Sequence, residues 1–233
     1  CKYSVQISFC SHNPFHQREF HISLSHLTGQ ILKIKRHSIK PPYRHVTQIG
    51  DPRLRKICDE VPLNKIKTPE IQKVIDQLVL VLNRYGSVGM SAPQVGINER
   101  IFVMRHTAQQ INREPVEVIN NRGMYEVPLS IYVNPKLKIV DYQKVIHTES
   151  CESVRAFSGD VPRYKEVEIT DGEPVSQIYR GWPARIAQHE MDHLDGKLYI
   201  DIMDRRTFQC VCWEEVNISN GKIAIPFTPD YKH

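Results

Sequence analysis

Between Pro69 and Tyr85 the apolar positions Ile71, Val74, Ile75, Leu78, Val79 and Leu82 recur at intervals of three and four, the spacing of an amphipathic helix. Upstream, Gly50-Asp-Pro-Arg-Leu-Arg-Lys-Ile-Cys58 opens with turn chemistry, and its Asp-Pro pair predicts a helix start. Gly86 and Gly89 break the long helix and lead into Ser91-Ala-Pro-Gln-Val-Gly96, a tight small-residue loop before an apolar strand over 101–104. Further β-type runs at 131–133, 137–140, 145–148, 167–170 and 175–179 are short and separated by Pro, Asp or Gly. Helical spacing returns over 182–194. There Trp182, Ile186, His189 and His193 share one stripe with Glu190 at its edge, while Ala184, Ala187 and Met191 face the other way. Both sides can pack, so this helix is expected to be buried. The tail after Asn217 predicts no element. The expected architecture is α+β, with short antiparallel sheets around one central buried helix and further helices near the N-terminus.

That helix carries Gln188-His-Glu-Met-Asp-His-Leu194, an HExxH pattern. Two histidines four apart project from one face, so both imidazoles reach one divalent metal while Glu190 reaches a water beside it. Two histidines and a glutamate inside a protein also need partners to offset lost hydration. A third ligand has to come from elsewhere. The extended metzincin pattern would put a histidine where this chain has Tyr199, although Gly196 is in place, so a metzincin is excluded. Upstream, Glu149-Ser-Cys-Glu-Ser153 follows a strand and offers Cys151; taken alone, a single cysteine is more commonly a small buried apolar side chain than a ligand.

Composition changes the picture only at the N-terminus. The chain has 233 residues, 40% of them hydrophobic, enough for one substantial core. The longest apolar run, 78–82, is five residues, so no membrane span is expected. Formal charge is +5, but residues 1–48 hold seven Lys/Arg against the single acid Glu19. The rest is near neutral and gives no sign of a nucleic-acid surface. A basic, Ser-rich, acid-poor leader fits an organellar presequence, and equally a disordered basic extension. Six cysteines without a CxxC pair favour a reducing compartment in which individual thiols act independently.

Three separated blocks, Gly89-Met-Ser-Ala-Pro-Gln94, Glu149-Ser-Cys-Glu-Ser153 and Gln188-His-Glu-Met-Asp-His193, resemble in order the three signature motifs of the peptide deformylase family. Gly50-Asp-Pro-Arg-Leu-Arg55 is similar to that family's N-terminal block, so the likeness runs from about residue 46 to about residue 216. The Glu after Cys151, the segment 155–163 and Trp182-Pro-Ala-Arg-Ile186 are closest to the animal mitochondrial branch. The resemblance implies an extension over 1–45 that is a mitochondrial presequence, a catalytic domain over 46–217 and a tail over 218–233. It implies Cys151, His189 and His193 as metal ligands, Glu190 as acid and base, and Gln94 as a donor to the substrate carbonyl. Gly89, Met90, Ser150, Glu152 and Trp182 are then substrate-binding, Glu152 through its backbone N–H. Trp182 and Ile186 either line an apolar pocket for methionine or are ordinary core. The substrate would be an N-formylmethionyl peptide or nascent chain in the matrix, and the cofactor one divalent ion, Fe²⁺ first, with Zn²⁺ or another compatible with the same donors. A ribosomal contact and a homodimer stay open.

Three departures bear on activity. Ser87 and Ser150 stand where the family has glycine, which predicts backbone strain if those sites need positive φ, and crowding of the substrate. Glu152 replaces the apolar residue common in bacterial relatives and would raise the barrier beside a developing oxyanion unless turned away or protonated. Reduced but retained activity is expected. The rivals are a general metallopeptidase, whose third ligand normally lies downstream of the motif, and a weakened deformylase-like protein that binds nascent chains or a ribosomal partner.

Overall fold

The computed structural model describes residues 40–171 and 176–229, together with the backbone of 4–6 and 21–23. Most of the 1–45 extension expected as a presequence lies outside the described residues; the described parts are the antiparallel pair β1 (Ser4–Gln6) and β2 (His21–Ser23) and residues 40–45, where the Tyr43 N–H donates to the Val95 carbonyl at 2.8 Å.

Asp51 accepts the Arg53 N–H and caps a 3₁₀ turn over Pro52–Arg55, so the predicted helix start is real but yields a single turn. Helix α1 spans Pro69–Tyr85, with proline at its first position and Gly86 in the left-handed region at φ 65° ending it. It buries Ile71, Val74, Ile75, Leu78, Val81 and Leu82, while Val79 is only half-buried. Against it lies a first antiparallel sheet, β3 (Gly89–Ser91), β4 (Ile101–His106) and β5 (Val127–Val133), in that order. Two short helices, α2 (Ala108–Ile111) and α3 (Val116–Arg122), join β4 to β5.

The second sheet departs from the sequence expectation of short strands. Strand β6 (Lys136–Cys151) has 16 residues and β7 (Val154–Thr170) has 17, paired along nearly their full length and continued by β8 (Ser176–Arg180). Asp141 does not separate two strands. It sits between two register shifts, where a bulge absorbs extra residues without ending the ladder. Pro162 likewise stays in register opposite Ile146. At the far end, Cys151 pairs with Val154 across the two-residue turn Glu152–Ser153, and β9 (Gln209–Cys210) pairs with β7 nearby.

Helix α4 (Gly181–Leu194) runs between the sheets and packs on β3, β4, β7 and β8. Ala184, Ala187, Met191 and Leu194 meet Phe102, Met104, Val167 and Ile169 in one buried cluster. Leu194 has no exposed surface, and truncating such a side chain costs about 2–5 kcal/mol. Burial of α4 on both sides therefore agrees with its sequence pattern, and it fixes the HExxH side chains within the protein. A last helix, α5 (Trp213–Ile218), falls just before the tail.

Candidate metal centre

Cys151 is the last residue of β6, and strand alternation puts its sulfur and the Glu149 carboxylate inward while Ser150 between them is exposed. His189 and His193 come from α4 one turn apart, with ring centroids 5.0 Å from each other. Ligand atoms of Cys151, His189 and His193 all lie within 4.8 Å of one another. Cys151 Sγ is 3.3 Å from His193 Nε2. A tetrahedral ion with metal–sulfur and metal–nitrogen bonds of about 2.3 and 2.0 Å separates such atoms by about 3.5 Å, so the donors are spaced for one small ion. His189 Nδ1 is 3.0 Å from Glu149 Oε2, which leaves its Nε2 to face the site. Burial alone would lower the His189 imidazole, but hydrogen bonds to Cys151 and Glu149 outweigh it and raise it well above its ordinary value. A cation bound at His189 would take the place of the proton held there. Burial keeps His193 well below its ordinary value, hence neutral as a ligand must be. Its Nδ1 and the Tyr199 hydroxyl are buried without hydrogen-bond partners among the described residues.

Glu190 is buried beside this triad, and loss of hydration pushes its carboxyl up to about 7. Its oxygen accepts a short hydrogen bond from the Ser91 hydroxyl. Gly89 is where the carboxylate passes β3. Any Cβ at that position would collide with Glu190 Oε1, so only glycine leaves room. Gln94 is held through its Oε1, which accepts from the Ser91 backbone N–H at 2.9 Å. Its Nε2 is thereby turned inward, 3.2 Å from Ser153 Oγ and 3.7 Å from Cys151 Sγ.

Sequence reasoning missed the shell behind His189. Glu149 receives Arg163 Nε at 2.9 Å and Nη2 at 3.0 Å, and Arg185 Nη1 at 2.7 Å. Burial pushes the Glu149 carboxyl up, but His189 and Arg163 together hold it well below the usual carboxylate range. Arg163 also reaches Asp192 at 2.5 Å. Two signals were present: Glu149 is two residues from Cys151 on a strand, and Arg185 is four from His189 on a helix. Tyr199, noted only as the missing histidine, stacks on the His189 ring at 6.4 Å between centroids. Ser91, read from the sequence only as part of a small-residue loop, belongs to the site through its hydroxyl.

The remaining predicted residues divide. The Met90 side chain is fully buried in the α1 core, so only its backbone is available to a ligand. The Trp182 ring has the guanidinium groups of Arg122 and Arg185 at 4.5 and 5.7 Å from its centroid and packs edge-on against His147. Ile186 is core. The strain expected at Ser87 and Ser150 is absent, because among the described residues the non-glycine positions with positive φ are Asn134, Ala156 and Asn220. A serine at either site is conformationally ordinary here. The Glu152 carboxylate pairs with Arg155 at 2.5 Å.

The family profile for polypeptide deformylase matches residues 43–209. The human mitochondrial peptide deformylase is 41% identical over 182 residues, covering 76% of this chain and 75% of that protein. Peptide deformylase 1A, chloroplastic/mitochondrial, of Arabidopsis thaliana is 38% identical over 203 residues, covering 85% and 76%. Among solved structures, the Thermotoga maritima peptide deformylase superposes with a TM-score of 0.56 at 28% identity, covering 70% of this chain and 98% of that one. A class I type b peptide deformylase from Acinetobacter baumannii, bound to Met-Ala-Ser, gives 0.59 at 27% identity, covering 68% and 96%. With the profile spanning most of the chain and the triad, the glutamate and the glutamine gathered at one point, this chain belongs to the peptide deformylase family of hydrolases.

Proposed function

We propose that this chain removes the formyl group from the N-terminal formylmethionine of newly made mitochondrial proteins, using one divalent ion held by Cys151, His189 and His193. The observation that carries the reading is the convergence of one sulfur and two imidazoles beside a buried carboxyl held near neutrality. An ion held by these three donors would supply a Lewis acid that brings a water's pKa toward neutrality. Glu190 takes a proton from the attacking water and returns it to the departing amine, a task for which a carboxyl poised near 7 is suited. Ser91 orients that carboxyl. Gln94 Nε2 and the Glu152 backbone N–H are the donors for negative charge on the formyl oxygen.

Strand β3 is an edge of the first sheet and β6 an edge of the second. An extended peptide entering between Gly89–Met90 and Ser150 can pair with main chain on either side. Trp182 is assigned to the outer part of the methionine pocket. We assign Fe²⁺ as the working ion, with Zn²⁺ able to use the same donors. The extension 1–45 serves as presequence, 46–217 as the catalytic domain and 218–233 as its tail, which puts the enzyme in the matrix. Nascent substrate there implies a ribosomal contact, and a homodimer is compatible with it.

A weakened, purely binding role is disfavoured because Glu190 and Gln94 are both held in place and Glu152 is already paired. A general metallopeptidase is disfavoured because the third donor lies upstream of α4. The test is formate release from a formyl-methionyl tripeptide by metal-loaded protein, with and without chelator, beside Glu190→Gln. Chelator-sensitive release lost in the variant supports the reading. Release that survives both, or cleavage of internal peptide bonds instead, overturns it.

A further inference from the structure

The motif Cys210-Val-Cys212 lies outside the metal centre and plays no part in the chemistry above. Its two sulfurs are 3.4 Å apart, both half-buried and both free thiols. The backbone on each side holds them so. Cys210 is paired with Phe157 in β9, the Val211 N–H donates to the Ala156 carbonyl at 2.9 Å, and the Cys212 carbonyl accepts the Val216 N–H at the start of α5. The other described thiols differ in kind. Cys58 is buried and pushed up to about 12 by loss of hydration, and Cys151 belongs to the metal triad.

We infer that Cys210 and Cys212 form a reversible dithiol/disulfide site that exchanges with low-molecular-weight disulfides of the glutathione class. Bonding requires the sulfurs to close from 3.4 Å to about 2.0 Å, which side-chain rotation supplies because they already face each other. Only Val211 separates them, so the ring is small. A small ring gains little from restricting the unfolded chain and stores strain, and strained, accessible disulfides are the readily reduced ones. The site is therefore an exchange site and not a structural brace.

In the forward direction the Cys210 thiolate attacks one sulfur of glutathione disulfide, forming a mixed disulfide and releasing one glutathione. Cys212 then loses its proton to solvent and attacks the Cys210 sulfur, expelling the second glutathione. The protein loses two electrons and two protons, and glutathione disulfide becomes two thiols. Either thiol can donate in the hydrogen bond between them, and that bond pushes the Cys212 thiol up.

The test equilibrates the full metal-loaded chain at graded ratios of glutathione disulfide to glutathione, followed by alkylation and digestion with trypsin. Cleavage after Arg206 and Lys222 releases residues 207–222, which contain both thiols and no other cysteine. The expected result is a peptide lighter by two hydrogens that becomes the majority form at oxidising ratios and reverts with dithiothreitol. Cys212→Ser should instead accumulate a glutathione adduct at Cys210. Glutathione adducts on the wild-type peptide in place of the internal disulfide overturn the inference, and so does a wild-type peptide that stays doubly alkylated at every ratio.

Discussion

His189 Nδ1 and Glu149 Oε2 lie 3.0 Å apart, and the same carboxylate receives Arg163 and Arg185, so one buried glutamate orients an imidazole and pairs with two guanidinium groups, of which Arg163 is shared with Asp192. Partners of this kind fix the ring and raise its basicity as a ligand. Glu149→Gln should weaken metal binding about 10–100-fold, read by chelator competition. Glu149→Ala strands buried cations and should destabilise the fold by about 3–5 kcal/mol in denaturant unfolding. Unchanged affinity in the glutamine variant would mean that the pair does not tune the ligand.

Ser91 gives its hydroxyl to Glu190. A hydrogen bond to a charged group contributes about 1.5–3 kcal/mol, so Ser91→Ala should lower kcat by about tenfold or more while leaving metal content unchanged. Steady-state kinetics with metal analysis on the same sample checks this.

At Gly89 the space for a Cβ is occupied by the Glu190 carboxylate. Gly89→Ala must displace that group, and a misplacement of about 1 Å of a reacting group costs about a hundredfold in rate. The expected outcome is a folded, metal-binding protein with kcat/KM down by about that factor. Near-normal turnover would show that Glu190 works from another position.

The metal-free protein should carry a pH signature. Glu190 titrates at about 7 when folded against an ordinary 4.5, so the folded state binds its proton more tightly. Its contribution is fully present below about pH 4.5 and is lost as pH rises through about 7, on the order of 3 kcal/mol in all. The raised His189 acts in the same direction, whereas the lowered His193 and Glu149 favour folding as pH rises. The variant isolates one group: Glu190→Gln should fall less steeply in stability between pH 5 and 8 than the wild type, by thermal unfolding at each pH. Parallel curves would contradict the raised carboxyl.

Arg155 holds the Glu152 carboxylate at 2.5 Å, next to the backbone assigned to the formyl oxygen. Without that cation the carboxylate opposes the developing charge. Arg155→Ala should reduce kcat about tenfold with little change in KM, and adding Glu152→Leu should restore it. Failure of the second change to rescue would leave Arg155 with a purely structural role.

What could be read in advance followed from local periodicity and spacing. Helix α1 and the HExxH helix were legible because 3.6-residue periodicity and glycine stops act within one segment. The long β6–β7 hairpin was not, because Asp141 and Pro162 look like breakers until a partner strand absorbs them as a bulge and an in-register residue. His189 and His193 were legible from their spacing of four on one helix face, whereas Cys151 was reached through motif resemblance. Glu149, Arg163 and Ser91 were not, since their roles depend on which strand faces α4. The strain expected at Ser87 and Ser150 failed for a related reason: a glycine in a relative does not establish positive φ.

X-ray absorption at the metal edge of protein loaded anaerobically with one equivalent of Fe²⁺ shows whether the Cys151 sulfur and the two imidazoles share one ion. The expected spectrum has one sulfur scatterer at about 2.3 Å with two imidazole nitrogens, and loses the sulfur shell in Cys151→Ser. A first shell without sulfur in the wild type, or one unchanged by that substitution, would contradict the shared site.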